Sequence, residues 1–329
     1  MLADVHGDST GSTDKTMTGE PKPTSAPKSA SNPKKTFLLG VGCQKGGTSW
    51  LSEYLHSLPE FERGFTKEYH VLDVHFHPHN QRFKTRQIAY LNKRLERPQN
   101  QGNVGKAAKD HELGRRLHWV SFYNDLKSYF DYFAMLESRS PQVHVVGDIT
   151  PAYALVPRRA YRRVKRAMTA RGFDVKVVFL MRDPIERLHS ATRMRRRDLH
   201  KFQNEQRHAY VHNLTDDELF LDMLASPANF ARSDYKTTIK KLDAEFAPEE
   251  IFYAFYEDLF NDATVKRLTD FLGLQYQKPN FSERVNVTER TSELPDELIT
   301  QAREELADVY DFVAERFPGQ DFKELWLHA

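Results

Sequence analysis

The 329 residues contain one cysteine, Cys43. That excludes an internal disulfide framework and argues against a zinc site built on thiolates. Long apolar runs are also missing: none approaches membrane-spanning length, and the first residues carry no hydrophobic signal core. The expectation is a cytoplasmic protein, or a lumenal one if the chain is an excised domain. Nor is there an excess of one charge, since 48 Lys and Arg face 46 Asp and Glu for a net +2. A global signature of nucleic-acid or other polyanion binding is therefore absent. The stretch Met1 to Lys35 has almost no aliphatic residues. Residues 1–35 are expected to be a disordered tail, because they cannot bury enough apolar surface to offset their ordering entropy.

What remains, 36–329, is ample for one large core. Four short apolar runs read as buried strands: "FLLGV" (Phe37 to Val41), "VHVV" (Val143 to Val146), "VKVVFLM" (Val175 to Met181) and "IFYAFY" (Ile251 to Tyr256). Helical patterns lie between them, which predicts βαβ units. The fold class expected is α/β, a three-layer sandwich whose central, mostly parallel sheet is flanked by helices. Further helices are expected over Asp234 to Phe246, over Ala263 to Leu272, and as one helix after Pro295. The polar stretch from about 76 to 121 is weakly periodic and reads as an irregular insertion facing a substrate. Two basic clusters, "RRAYRRVKR" (Arg158 to Arg166) and "RMRRR" (Arg193 to Arg197), fit solvated helix faces as well as an anion-attracting surface.

Two strand-to-helix turns carry the chemistry. In "GVGCQKGGTSWL" Gly42 and Gly47 have P-loop spacing, but Thr48 stands where a P-loop has its lysine, and Lys45 lies inside the loop. Gly46 and Gly47 allow backbone N–H groups to approach an anion, the following helix adds its positive end, and Thr48 and Ser49 add hydroxyls. The second turn, "RDPIERLHSA", starts at Arg182. Asp183 caps, Pro184 takes the first helical position, and Glu186 completes a capping box. Arg182 and Ser190 suit a second, separate phosphate.

"QKGGTSWL" resembles the 5′-phosphosulfate loop of the sulfotransferases, and "RDPIERLHSA" resembles their 3′-phosphate motif. Gln44 and Gly46 stand for the proline and serine usual in that loop, as they do in the heparan sulfate glucosaminyl branch. "KEYHVLD" (Lys67 to Asp73) and "GDITPAYAL" (Gly147 to Leu155) are similar to two further segments of that branch. In the second, Asp148 replaces a glutamate, and Ile149 a lysine that helps position an acidic sugar there. The resemblance implies a P-loop-like fold and the donor 3′-phosphoadenosine 5′-phosphosulfate (PAPS). By the same likeness Lys45, Gly46, Gly47, Thr48, Ser49 and Trp50 hold its 5′ end, and Arg182 and Ser190 its 3′-phosphate. Arg284, or Arg290, stands in for a missing Lys-Gly-Arg element. Lys45 neutralises the leaving phosphate, and Glu68 is the base, with His70 orienting it or sharing the proton. Asp148 is the alternative base.

No metal is required for such a transfer, and "HFHPHN" (His75 to His79) reads as loop histidines rather than ligands. Tyr153 and Tyr235 line a pocket or pack in the core. The acceptor expected is an alcohol on a carbohydrate, lipid or small metabolite, or else an amine. Two other readings stay open: a P-loop kinase, which needs a lysine at position 48, and a catalytically silent polyanion-binding protein.

Overall fold

The computed structural model describes residues 34–77, 81–97, 109–199, 205–282 and 293–329. Five strands form its sheet: β1 (Thr36–Gly42), β2 (Phe61–Glu62), β3 (Val145–Ile149), β4 (Asp174–Met181) and β5 (Ile251–Phe255). Their order is β2-β3-β1-β4-β5, and every pairing is parallel. Parallel strands need both faces covered, so they read as unbroken apolar runs, and alternation sorts the side chains. From β1, Phe37, Leu39 and Val41 enter one apolar cluster, while Leu38 enters the other. The helices Thr48–His56 and Asp262–Leu272 cover the second face through Trp50, Leu51, Leu55, Val265 and Leu268. The helices Leu126–Glu137, Arg158–Thr169, Tyr235–Asp243 and Ala307–Arg316 cover the first.

Several boundaries differ from expectation. The third strand begins at Val145 and runs to Ile149, so Asp148 lies within it, paired with Leu39 of β1. The single helix expected after Pro295 is two, Asp296–Glu305 and Ala307–Arg316, divided at Leu306. The stretch read as irregular is helical at Gln81–Leu95 and His111–Asn124, which pack side by side. Gln81–Leu95 buries none of its residues fully, and of its large apolar side chains only Phe83 and Leu91 are half-buried, so the stripe by which a helix is recognised is thin. Asp110 caps the second of these helices, accepting from Glu112 N and Leu113 N, and also holds Arg94. Residues 1–33 of the expected tail lie outside the described residues. Lys34 and Lys35 lie against the domain, where Lys35 pairs with Glu137 at 2.7 Å.

Candidate active site

Both informative turns leave the carboxyl edge of the sheet beside the central strand β1, where open α/β sheets bind ligands. They open into one cavity of about 910 Å³. At the first turn Lys45 (φ 71°) and Gly47 (φ 86°) are left-handed, which brings the chain round sharply into the helix Thr48–His56. The two glycines are demanded by space as well. A Cβ on Gly46 would meet Cys43 Sγ at 2.6 Å and the Leu180 carbonyl at 3.1 Å; one on Gly47 would meet Leu259 at 2.8 Å. Gln44, Lys45, Gly47, Thr48, Ser49 and Trp50 all line the cavity. Burial, reinforced by Arg197, Arg182 and Arg193, lowers the Lys45 ammonium to about 8.

The second turn is anchored from behind. Asp183 is fully buried and accepts from Ile185 N, Glu186 N, the Tyr310 hydroxyl and His328 N. The capping box expected there is only half made. Glu186 pairs with Arg182 at 3.1 Å instead, and the Asp183 N–H goes to Glu257 Oε1. Glu257 also accepts from the Trp326 indole, and burial raises it to about 7. Arg182 is thereby held over the Tyr256 ring, 4.5 Å from its centroid, with a buried Nε that has no hydrogen-bond partner among the described residues. Ser190, Arg193 and Arg197 follow along the helix Pro184–Arg197 and line the same cavity.

Between the turns lies the segment Lys67 to Asp73. Lys67 Nζ donates to Glu68 Oε1 at 2.8 Å and to Ser49 Oγ at 2.9 Å, tying the acidic segment to the first turn. His70, left-handed at φ 55°, precedes the short helix Val71–Phe76. Its Nδ1 lies 2.9 Å from Asp73 Oδ2 and its Nε2 3.4 Å from Glu68 Oε2. The ring stacks on Phe83 at 4.5 Å. Burial opposes its charge, but Asp73 and Glu68 outweigh burial and raise His70 to about 9. Burial likewise opposes charge on Glu68, yet His70 and Lys67 hold it down at about 2. The His70 ring thus bridges the side chains of Glu68 and Asp73.

Asp148 is not brought to this cavity, a correction to its place as alternative base. It is 0% exposed and accepts from Tyr129, Tyr153 and Thr150 hydroxyls at 2.8, 2.7 and 2.6 Å. Tyr153 is buried with it and also accepts from Val71 N. Tyr235 is buried under the first turn against Cys43 and the Arg182 carbonyl, so both tyrosines pack rather than line the cavity. His75 and His77 have Nε2 at 2.8 Å from the Phe122 and Leu155 carbonyls. Among the described residues no group of three or more His, Cys, Asp or Glu is placed to hold a metal. His79, Arg284 and Arg290 lie outside the described residues.

Sequence reasoning missed Lys67, Asp73 and Tyr256, and it left Arg193 and Arg197 in a basic cluster without assigning them to the site. Lys67 and Asp73 stand inside a quoted motif, and Arg193 and Arg197 follow Ser190 at three and seven residues, on its helical face. Tyr256 carries no signal beyond the end of its strand.

A family model of the sulfotransferase domain matches residues 34–294. The chain belongs to the sulfotransferase family. The match is to the family as a whole and singles out no heparan-type branch. Among solved structures, a sulfotransferase from Alicyclobacillus acidocaldarius is 18% identical with a TM-score of 0.51. The alignment covers 89% of this sulfotransferase and 98% of that chain. A sulfotransferase domain from the Synechococcus PCC 7002 olefin synthase is 16% identical with a TM-score of 0.44, over 87% and 97%. The first shares the fold. Among curated proteins none matches. In this sulfotransferase no described helix is long and apolar enough to cross a membrane.

Proposed function

We propose that the cavity binds PAPS and that the enzyme transfers its sulfuryl group to a hydroxyl, or an amine, of an acceptor. The observation that carries this reading is the convergence of both turns and the Glu68–His70 pair on one cavity. The residues fit the donor on their own terms. Gly46 and Gly47 let the first turn pack against Cys43, Leu180 and Leu259 where a Cβ would clash, so the tight loop ahead of the helix can form, and Arg182 keeps a buried Nε–H unpartnered among the described residues. Cations from two different strand-to-helix turns, Lys45 at the first and Arg182 with the helix Pro184–Arg197 at the second, suit a donor carrying phosphate at both its 5′ and 3′ ends. PAPS, when bound, supplies the sulfuryl group, its sulfur exchanging the bridging phosphate oxygen for the acceptor oxygen.

The chain's own residues do the rest by position and charge, as in phosphoryl transfer. Lys45 and the start of the helix Thr48–His56 compensate the negative charge that gathers on the departing 5′-phosphate. Thr48 and Ser49 orient the 5′ end, while Arg182 and Ser190 hold the 3′-phosphate. Glu68 takes the acceptor proton. At about 2 it is a weak base while Lys67 and His70 both face it. Lys67 links it to Ser49, so an anion that engages Lys67 at the first turn removes one of the two cations that hold Glu68 down, while His70 remains. His70, fixed by Asp73, keeps the carboxylate oriented.

The test is a screen of alcohols and amines with radiolabelled PAPS, with the product identified by mass. Transfer of label to an acceptor supports the reading. Label that stays on the nucleotide with every acceptor, while the protein binds magnesium and ATP, would refute it.

A further inference from the structure

The cavity holds more positive charge than the donor stations use. Lys45 belongs to the first turn, Lys67 is bonded to it through Ser49, and Arg182 belongs to the second. Arg82 and Arg232 belong to neither, yet both line the cavity. Arg82 lies near the start of the helix Gln81–Leu95, with its guanidinium 5.4 Å from the Phe83 ring that stacks on His70. Arg232 lies on the helix Pro227–Ser233, which packs on the turn Pro151–Leu155. Pro151, Ala152 and Leu155 of that turn line the cavity too. These elements flank the Glu68–His70 side, where the attacking oxygen enters.

Neither guanidinium has a carboxylate partner among the described residues. Arg232 donates to the Ala228 carbonyl of its own helix, and Arg82 makes its ring contact. Burial lowers the Arg232 pKa, and the buried Arg187 and the cavity-lining Arg82 lower it further. Asp73 acts the other way, but its Oδ2 is bonded to His70 and no bond joins it to Arg232. Several other arginines are paired with carboxylates, as in Arg63–Glu53, Arg94–Asp110 and Arg171–Asp131. Arg232, half-buried and facing the cavity without a bonded carboxylate, carries a cost that a bound anion removes; Arg82, exposed at the cavity rim, adds a second planar fork that suits an oxyanion.

We infer that Arg82 and Arg232 form an acceptor subsite for an oxyanion, so that the acceptor carries a carboxylate, phosphate or sulfate beside the group it offers for sulfation. This rests on the sulfotransferase reading of the same cavity. The subsite offsets the repulsion between an anionic acceptor and the anionic donor, and it fixes the acceptor's approach. Phe83 and Leu155 give the body of the acceptor an apolar wall.

The test is a calorimetric titration of inorganic phosphate into the protein saturated with 3′-phosphoadenosine 5′-phosphate (PAP), at constant ionic strength. PAP fills the donor stations first. The inference expects saturable phosphate binding that weakens about tenfold in Arg82→Gln and in Arg232→Gln, with PAP affinity changed less than about twofold. Arg232→Lys should retain part of the phosphate affinity. If Arg232→Gln fails to fold, Arg82→Gln carries the test alone, since Arg82 is exposed. Phosphate that binds equally well to the variants, or shows no saturable binding to the wild type, would overturn the inference. So would a loss of PAP affinity as large as the loss for phosphate, which would assign the arginines to the donor. Failure of PAP itself to bind would overturn the sulfotransferase reading, and this inference with it.

Discussion

The segments Lys67 to Asp73 and Gly147 to Leu155 reach the same edge of the sheet, and each carries a carboxylate. Their fates are opposite. Glu68 stands in the cavity wall with its side chain 37% exposed, held down at about 2 by His70 and Lys67 against the effect of burial. Asp148 is sealed inside the sheet, and burial raises it to about 6 despite three hydroxyl donors. Cations surround the first carboxylate, whereas neutral phenols and an alcohol surround the second. The difference teaches that a carboxylate's neighbours, more than its motif, decide whether it meets substrate or braces the fold.

The comparison is broken most sharply by removing each charge in turn. Glu68→Gln should lower turnover by about 10²–10⁴-fold with PAP affinity nearly intact, because a general base contributes on that scale. Asp148→Asn should instead cost about 1–3 kcal/mol of stability, measured by denaturant unfolding, since the amide cannot accept from all three hydroxyls. A dead but fully stable Asp148→Asn beside an active Glu68→Gln would reverse the two roles. Lys45→Ala should reduce turnover by about 10²–10³-fold, the usual cost of one preorganised charge stabiliser. Unchanged turnover in that variant would remove Lys45 from the reaction.

A smaller effect is expected at the second turn. Arg182→Ala should weaken PAP by about 1.5–3 kcal/mol in calorimetry, and adenosine 5′-phosphosulfate, which lacks the 3′-phosphate, far less. Equal losses for both ligands would mean that Arg182 does not read that phosphate. The smallest effect is on pH. An anion binds the protonated Lys45, whose pKa lies at about 8 among Arg197, Arg182 and Arg193. PAP affinity should therefore be flat below pH 8 and fall by up to about tenfold per unit above it, a slope that Lys45→Arg should remove. An identical slope in that variant would place the titration elsewhere.

Much of the fold and of the site is legible in the amino-acid sequence. Apolar runs mark the principal strands of the sheet, since parallel strands buried on both faces cannot hide their composition. Gly46 and Gly47 mark the first turn and Arg182 with Pro184 the second, because tight backbone and helix starts restrict residue choice. The two-residue strand β2 and the polar helix Gln81–Leu95 are not legible: one is too short for alternation, and the other has no buried face. The role of Asp148 is hidden because its three hydroxyl partners come from Tyr129, Thr150 and Tyr153, and only folding sets Tyr129 beside the strand end. Arg82 and Arg232 are hidden for a similar reason, since they are 150 residues apart in sequence and meet only across the cavity.

The central claim is that one cavity reads a nucleotide by two separated phosphate groups. Calorimetry of the wild-type protein with PAP, adenosine 5′-phosphosulfate and magnesium-ATP tests it most directly. The account predicts that PAP binds most tightly, that adenosine 5′-phosphosulfate is weaker by the missing 3′-phosphate contact, and that magnesium-ATP is weakest. Tighter binding of magnesium-ATP than of PAP would contradict it.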